Sequence, residues 1–274
     1  MAHNPDIQHE IILSAEPIFK IGEFTATNSW LNSIIAVFIL VVFSLAIGKK
    51  AKLVPRGLQN FFEIILEIAL GFSDTITGSR KNSEKLLPFV LSLFLFILVN
   101  NWLGIIPGVG TIGFVEQTLA SEEKVFIPLF RGGTADLNTT LALAFFAISF
   151  THILGIFTIG FWRHINKYLN FQGLVDIVKN FKKDKMIAFV NPIKFFVGAL
   201  EILTEAAKVA SLSLRLFGNI FAGEVLLTSM MAIFAYALPI PFLFLEVLVG
   251  IVQALIFSIL VLVFASMSMQ AEEH

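Results

Sequence analysis

Five stretches of the chain are almost continuously apolar. A run of roughly 20 apolar residues forms a helix long enough to cross a hydrocarbon core of about 30 Å. In lipid the backbone amides must find partners within the segment or a closed barrel, and runs of this length are typical of helices. We therefore predict membrane-spanning helices at about 30–48, 86–106, 136–162, 195–236 and 241–268.

A further segment, at about 55–78, mixes apolar and charged residues. Its apolar side chains recur every three to four residues and oppose Glu63, Glu67 and Asp74. This amphipathic pattern is typical of a helix that lies in the membrane interface. The chain is therefore predicted to be an all-α polytopic membrane protein with about five transmembrane helices and an interfacial or re-entrant helix. A proline-marked turn makes the last two spans a long hairpin, and their length predicts tilt.

The composition supports this fold class and narrows the chemistry. Of the 274 residues, 57% are hydrophobic and 14% are charged, and the mean hydropathy is +0.85. A soluble domain of this size requires more polar surface. The sequence contains no cysteine, which excludes disulfides and thiolate chemistry. Its five histidines lack metal-ligand spacing, so neither a metal nor another cofactor is predicted.

Lysine and arginine residues are concentrated on one side of the predicted membrane. Four lie between Lys49 and Arg56, and seven lie between Arg163 and Lys194. With those loops inside, 14 of the 19 Lys and Arg residues are cytoplasmic, three are external and two lie within spans, as the positive-inside rule requires. Residues 1–29 then form an external N-terminal segment, either an ordered cap or a flexible tail. Residues 30–274 form the membrane domain, with a cytoplasmic C-terminus.

The last two spans contain an unusual number of charged residues. A charge at the centre of a bilayer costs about 3 kcal/mol on insertion scales, so it requires a partner, water or a function. The polar group Ser211, Asn219 and Gln253 accompanies these charges. Glu201, Glu205 and Lys208 are spaced to pair along one helix, and a local salt-bridge ladder explains them as well as a channel role does. The six charged residues are Glu201, Glu205, Lys208, Arg215, Glu224 and Glu246.

The fourth span is predicted to have two polar faces. At 100° per residue, Glu224 points away from Arg215. Small residues beside Arg215 allow another helix to approach closely, so we predict that Arg215 faces a partner subunit. The structural alternative is that Arg215 forms an ion pair, or that its long side chain reaches the membrane interface. The stripe that contains Arg215 comprises Lys208, Ser211, Arg215, Gly218, Asn219 and Ala222.

A second polar seam is predicted on the last span. Glu246, Gly250 and Gln253 fall on one face by the i, i+4, i+7 rule. In an antiparallel hairpin Glu246 and Glu224 lie at similar depth, where either carboxylate is suited to relay protons. The alternative is that both are carboxyl groups that pack helices together. His152 stands alone on the third span. An isolated histidine of this kind more often forms an interhelical hydrogen bond than relays protons.

The residues around Arg215 resemble the signature of subunit a of the F-type ATP synthase, in its bacterial form. The matching string is Ser211-Leu212-Ser213-Leu214-Arg215-Leu216-Phe217-Gly218-Asn219, followed by Ala222-Gly223-Glu224. Four other features fit the same family: Asp136-Leu137-Asn138, the segment from Asn101 to Pro107, Glu201, and Gln253-Ala254. Two positions depart from it. Many bacterial relatives have histidine where this chain has Glu246, and some have an acid at Gly104.

The resemblance implies a proton-channel stator subunit of the ATP synthase membrane sector, with no catalysis of its own. Two aqueous half-channels would load and unload the carboxylates of a rotating c-subunit ring, which couples ion flow to ATP synthesis. Arg215 would separate the half-channels. Asn219, Glu224, Glu246 and Gln253 would lie along the external path, Asp136 and Asn138 near its mouth, and Glu201, Lys208 and Ser211 toward the cytoplasm.

The same resemblance implies partners and a location. The partners would be the c-subunit ring, b-type peripheral stalk subunits, other ATP synthase subunits and the lipid bilayer, with no nucleic acid and no cofactor. The location would be the cell inner membrane. Selectivity between protons and sodium would reside largely in the carboxylate site of the partner.

Two other classes of membrane protein agree less well with the sequence. A self-contained secondary transporter commonly has related halves with broken helices near the midplane, and no related halves are evident. An intramembrane enzyme requires a nucleophile with a base, or a metal cluster. No residues are spaced for either arrangement.

Overall fold

Seven α-helices make up most of the residues that the computed structural model describes. It describes residues 7–8, 15–49, 52, 54–55, 57–106, 108–117, 124–168, 187–234 and 237–269. The helices are α1 Asn28–Gly48, α2 Leu58–Thr77, α3 Arg80–Ile105, α4 Leu137–Ile159, α5 Phe161–Tyr168, α6 Ile187–Ile233 and α7 Pro239–Met269. Five are long and apolar enough to cross a membrane: α1, α3, α4, the Phe196–Ile233 part of α6, and α7. The prediction of an all-α polytopic membrane protein is confirmed.

Several sequence features used for the orientation lie outside the described residues. They include Lys50 and Arg56 after the first span, and most of the basic loop that precedes α6. The acidic residues Asp6 and Glu10 and the last five residues of the chain also lie there. The placement of each terminus relative to the membrane therefore stays a prediction.

Glycine determines where α4 ends. The sequence predicted a third span that continues to about 162, but the helix ends at Ile159 and a new helix, α5, begins at Phe161. Gly160 between them has a φ of 97°, in the left-handed region that glycine adopts without a steric cost. The chain therefore turns at Gly160, and α5 packs back against both α4 and α6.

Short β-strands occupy segments for which no secondary structure was predicted. They are β1 Ile7–Gln8, β2 Pro17–Ile21, β3 Phe24–Thr27, β4 Gly113–Gln117 and β5 Lys124–Pro128. β2 pairs antiparallel with β3, while β5 pairs antiparallel with β4 and parallel with β1. Asn28 connects the β2–β3 hairpin to the second sheet, because its Nδ2 donates to the carbonyl of Pro128 at 3.3 Å. Part of the N-terminal segment therefore packs on the loop between α3 and α4.

The core lies where α3, α4, α6 and α7 meet. Its fully buried side chains include Ile97, Leu216, Phe257 and Val261, one or two from each of three helices. Small residues allow the helices to approach closely, as is usual in membranes. Ala144 of α4, for example, is 0% exposed. This packing fixes the inner face of α6 and leaves its opposite face uncovered.

The last two helices are longer than a bilayer requires. α6 contains 47 residues, or about 70 Å at 1.5 Å per residue. α7 contains 31 residues and begins at Pro239, where proline is favourable because a first-turn residue needs no helical N–H partner. The two helices pack against one another, as the predicted hairpin requires.

Candidate functional site

Arg215 lies on the uncovered face of α6. It falls at the middle of the apolar stretch Phe196–Ile233, whereas its neighbours Leu212 and Leu216 are buried. Its Nη2 donates to Ser211 Oγ at 3.2 Å. Among the residues that the structure describes, no carboxylate forms an ion pair with Arg215. The fold therefore presents a fixed positive charge outward, at mid-depth of an apolar helix.

The small and polar residues predicted beside Arg215 share its exposed face. Ser211, Gly218, Asn219 and Ala222 are all exposed. A Cβ atom built on Gly218 would meet nothing within 4 Å, so the surface there is open. The face therefore has room for a second helix at the level of the guanidinium.

Lys208 departs from the predicted stripe. It is half-buried, and its Nζ donates to Glu205 Oε1 at 2.7 Å. The same Nζ lies 4.8 Å from the ring centre of Phe264 in α7. A helical wheel places the Cα atom but not the end of a long side chain, and an acidic residue three positions earlier attracts this one. The local ion pair that the sequence left open is therefore present for Glu205 and Lys208, while Glu201 is half-buried one turn earlier.

Glu224 points inward and pairs with Arg131. Arg131 Nε donates to both carboxylate oxygens of Glu224 at 3.1 Å, and its Nη2 lies 3.1 Å from Oε2. The arginine side chain is 4% exposed, whereas that of Glu224 is 34% exposed. The guanidinium also lies 5.9 Å from the centre of the Phe221 ring. Arg131, which follows β5, is thus a member of the site.

In the predicted topology Arg131 is one of the three external basic residues, and nothing else about it is predicted. One signal could have identified it. An intramembrane carboxylate requires a partner, and only two basic residues, Lys124 and Arg131, lie in the loop between α3 and α4. Arg131 is the nearer of the two to the start of α4, whose N-terminal end packs beside α6.

Glu246 lies beside Glu224, and the two carboxylates are at a similar depth, as the antiparallel hairpin predicts. It is 5% exposed, and a Cβ atom added to Gly223 would overlap its carboxylate group. Gly223 therefore provides the space that the carboxylate occupies. The charges of Glu246 and Glu224 are close enough to interact. The fold thus gathers two carboxylates and one guanidinium on the inner side of α6, away from Arg215.

The Glu246–Gly250–Gln253 seam packs against α3. Gln253 is 9% exposed, and the carbonyl of Gly250 accepts a 3.0 Å hydrogen bond from Asn101 Nδ2. Asn101 Oδ1 in turn accepts from Thr134 Oγ1 at 2.6 Å. The amide of Asn101 therefore joins α3, α7 and the segment before α4, which explains in physical terms why asparagine closes the second span.

Gly104, one of the two positions that depart from the resemblance, touches the loop before α4. A Cβ atom built on Gly104 would lie 2.8 Å from the Cα atom of Gly132, closer than such atoms approach in folded proteins. The backbone of the loop therefore occupies the space that a side chain at this position would need. Glu246 and Glu224 are the carboxylates that this chain places in the region instead.

Glu16 of the N-terminal segment belongs to the same charged group. Its Oε2 accepts a 3.1 Å hydrogen bond from Asn28 Nδ2, and its charge interacts with those of Arg131 and Glu224. Burial raises the pKa of the Glu16 carboxyl above its ordinary value, and the nearby Arg131 guanidinium opposes that rise. A carboxyl group from outside the spans thus reaches the buried ion pair.

Asp136 begins α4 as its N-cap. Its Oδ2 accepts from the backbone N–H and the hydroxyl of Thr139 at 3.3 and 3.0 Å, and its Oδ1 accepts from the Asn138 N–H at 3.3 Å. Aspartate is favoured there because the first amides of a helix have no helical partner. Asn138 is exposed, while Asp136 is 5% exposed. The structure therefore gives Asp136 a role in the fold, whether or not it also lines a path.

We expect Asp136→Ala to destabilise the protein and Asp136→Asn to leave its stability nearly unchanged. Alanine removes the cap at a cost of about 1 kcal/mol, whereas asparagine keeps one oxygen that accepts from the Thr139 amide and hydroxyl and is about as favourable as aspartate at an N-cap. The measurement is the unfolding temperature of the purified protein in detergent, with an expected drop of about 2–4 °C for alanine only. Equal unfolding temperatures for both variants, with proton transport lost in both, would instead assign the importance of Asp136 to its charge.

Comparison with known proteins places the chain in a family. Residues 30–266 match the ATP synthase A chain family. ATP synthase subunit a of Syntrophobacter fumaroxidans is 30% identical over 250 residues, which cover 91% of this chain and 87% of that protein. The subunit of Mycobacterium marinum is 32% identical and covers 96% of this chain and 98% of its own length. The chain therefore belongs to the ATP synthase A chain family, together with these bacterial subunits a.

Proposed function

We propose that the chain is the proton-channel stator subunit of the ATP synthase membrane sector, without catalysis of its own. It provides two aqueous half-channels that load and unload the carboxylates of a rotating c-subunit ring, and so couples ion flow to ATP synthesis. The observation that carries the proposal is the outward-facing, mid-helix Arg215, which has no carboxylate partner among the residues that the structure describes. The names of the bacterial relatives support the assignment to ATP synthase.

Arg215 acts as the barrier between the half-channels. A carboxylate of the ring that passes the guanidinium is held in its ionised form, because the guanidinium carries a charge at every accessible pH. The carboxylate arrives after giving up its proton on one side and takes up a new proton on the other. The fixed positive charge also repels a free proton that would otherwise cross directly. The open surface around Gly218 and Ala222 supports this arrangement, because a ring helix can approach there.

The external half-channel follows the inner side of α6. Glu224, Glu246 and Gln253 line it. Asn219, on the exposed face one turn after Arg215, lies where the path opens toward the ring, and Asp136 and Asn138 lie near its outer mouth. The proximity of Glu224 and Glu246 supports a relay, since a proton can move between two neighbouring carboxyl groups that share a negative charge. The Arg131 guanidinium, 3.1 Å from Glu224, orients that carboxylate and balances its charge.

The cytoplasmic half-channel lies toward the N-terminal half of α6, where Glu201, Lys208 and Ser211 are found. The distribution of Lys and Arg residues supports this orientation in the cell inner membrane, with the N-terminus outside and the C-terminus in the cytoplasm. The partners are the c-subunit ring, b-type peripheral stalk subunits and the other ATP synthase subunits. The carboxylate site of the ring determines whether the ion is a proton or sodium.

Crosslinking tests the rotor-facing surface, and the absence of native cysteine makes each crosslink unambiguous. We expect Ala222→Cys, on the exposed face of α6, to form a disulfide with a cysteine placed next to the ring carboxylate in the assembled complex. Phe38→Cys is the control, because Phe38 is 67% exposed but lies on α1. No crosslink from position 222 in an assembled complex, or equal crosslinking from position 38, would contradict the proposal.

A further inference from the structure

A line of hydrogen-bonding side chains crosses three helices on the other side of Arg215 from Glu224. Lys208 Nζ donates to Glu205 Oε1 at 2.7 Å. Glu205 Oε2 lies 3.4 Å from His152 Nε2 in α4. His152 Nδ1 lies 3.3 Å from His164 Nε2 in α5. The line therefore runs from α6 through α4 to α5, and nothing in the half-channel roles above uses the two histidines.

The packing around this line encloses it without sealing it. His164 is 5% exposed, whereas the side chains of Glu205 and His152 are 17% and 28% exposed. Gly155 makes room for the His164 ring, because a Cβ atom there would lie 2.7 Å from His164 Cε1. Ser268 of α7 holds α4 beside the ring by donating to the carbonyl of Thr151 at 2.7 Å. Both imidazoles thus have positions determined by the fold.

The charged groups around the line come from few elements. Among the residues that the structure describes, α6 contributes Glu201, Glu205 and Lys208, and α4 and α5 contribute the two histidines. α5 also contains Arg163, which is exposed. The α7 side chains that pack here, Phe264 and Ser268, carry no charge. Within the described part of the chain, no three His, Cys, Asp or Glu side chains converge as a metal site requires.

We propose that Glu205, His152 and His164 form a proton wire that leads from the packed side of α6, on the cytoplasmic side of Arg215, to the water at α5. This inference rests on the proposed function and adds to it the proton path on the cytoplasmic side. Lys208 and Glu205 precede Arg215 by seven and ten residues, or about 10 and 15 Å along the helix. The wire therefore begins about two to three helical turns from Arg215, in the half of α6 assigned to the cytoplasmic half-channel.

The transfer leaves every group in its starting charge state. A proton that reaches the Glu205 carboxylate forms the acid, whose O–H donates to His152 Nε2. His152, now an imidazolium, releases the proton on Nδ1 to His164 Nε2. His164 Nδ1 is buried, and it releases its proton to a water molecule that enters from the α5 end. After the transfer each imidazole is neutral with its proton on Nε2, and exchange of that proton to Nδ1 through water restores the starting tautomer. Imidazole is suited to this role because it accepts a proton at one nitrogen and releases one at the other near neutral pH.

Lys208 is a positioning residue in this arrangement. Its ammonium holds one oxygen of Glu205 at 2.7 Å and leaves the other oxygen directed at His152. A simple ion pair between Glu205 and Lys208 would account for the first contact alone. The second and third contacts, which place two imidazoles end to end, are the ones that a proton wire requires.

The test measures proton conduction by the assembled complex in liposomes, driven by a potassium diffusion potential. We expect His152→Gln and His164→Gln each to lower conduction at least about tenfold, because glutamine keeps a hydrogen bond but carries no proton. Since the two groups act in series, the double variant should conduct no worse than the slower single variant. Imidazole buffer should partly restore conduction when it is added on the α5 side, and not when it is added on the opposite side. Thr158→Val is the matched control on α4: Thr158 is exposed and bonds only its own helix.

Rates are expressed per assembled complex, so that a loss of assembly is not counted as a loss of conduction. If His164→Gln prevents assembly, the result for His152→Gln alone decides whether the wire exists, since the His152 ring is partly exposed. The wire would be overturned by normal conduction in the histidine variants, by losses that multiply in the double variant, or by a lack of imidazole rescue from the α5 side. Arg215→Ala in the same assay distinguishes the two proposals. If Arg215→Ala still pumps, the stator role is overturned. If Arg215→Ala loses pumping while the histidine variants conduct normally, only the wire is overturned.

Discussion

Arg215→Ala is expected to abolish ATP-driven proton pumping by the assembled complex while leaving its assembly largely intact. Pumping fails because no fixed charge then ionises the passing carboxylate or blocks direct proton flow. Assembly survives because the side chain is exposed and bonds only Ser211 among the described residues, and substitutions at such positions usually change stability by less than about 0.5 kcal/mol. The measurement is the quenching of a pH-sensitive dye in inverted vesicles, with ATP hydrolysis and subunit content recorded in parallel.

Two further variants define what the arginine contributes. Arg215→Lys keeps a positive charge but loses the planar guanidinium, and we expect pumping to remain strongly impaired, because a lysine ammonium in apolar surroundings loses its proton more readily. Leu203→Ala is the control on the same helix, since Leu203 is 66% exposed and belongs to neither proposed path. Normal pumping by Arg215→Ala would contradict the barrier role, whatever the outcome for the other two variants.

The helices and the two faces of α6 were predictable because the signals are local. A run of about 20 apolar residues specifies a membrane helix without reference to the rest of the chain. The angle between Arg215 and Glu224 likewise follows from helical geometry alone, and the fold places these side chains on the exposed and inner sides respectively. The same geometry brought Glu246 to the level of Glu224. Local periodicity therefore predicted which residues face outward and which meet in the hairpin.

The remaining parts of the site depend on contacts between distant segments. Arg131 and Glu224 are 93 positions apart, and neither residue indicates the other in the sequence. The short strands escaped detection because two to five residues are too few to show a period, and β1 pairs with β5 across more than 100 residues. The end of α4 depends on a single glycine, Gly160, whose positive φ becomes visible only in the fold.

His152 illustrates both limits. The prediction that it forms an interhelical hydrogen bond agrees with its contacts to α5 and α6. Its partners, however, lie 12 and 53 positions further along the chain, and no spacing rule connects them. Lys208 shows the opposite case, in which a neighbour three positions away redirects a side chain that a helical wheel assigns to another face. Side chains with long, flexible stems are thus the least predictable part of the site.

Glu224→Gln is expected to destabilise the protein more than Arg131→Gln does. Loss of the carboxylate leaves a guanidinium that is 4% exposed without its main partner, and an unpaired buried charge costs about 3–5 kcal/mol. The nearby Glu16 carboxylate offsets part of this cost, so the lower end of that range is expected. Loss of Arg131 instead leaves a carboxylate that is 34% exposed and can neutralise itself by taking up a proton. The measurement is the unfolding temperature of the purified complex.

The double variant Arg131→Gln with Glu224→Gln separates the structural part of this pair from its part in transport. With both charges of the pair absent, the buried guanidinium is no longer left without its partner, so the double variant should be more stable than Glu224→Gln alone. Its proton conduction should nevertheless stay low, because the relay carboxylate is missing. Stability losses that add within about 0.5 kcal/mol would show that the two residues are uncoupled. Recovery of conduction together with stability would mean that Glu224 serves the fold and that Glu246 carries protons without it.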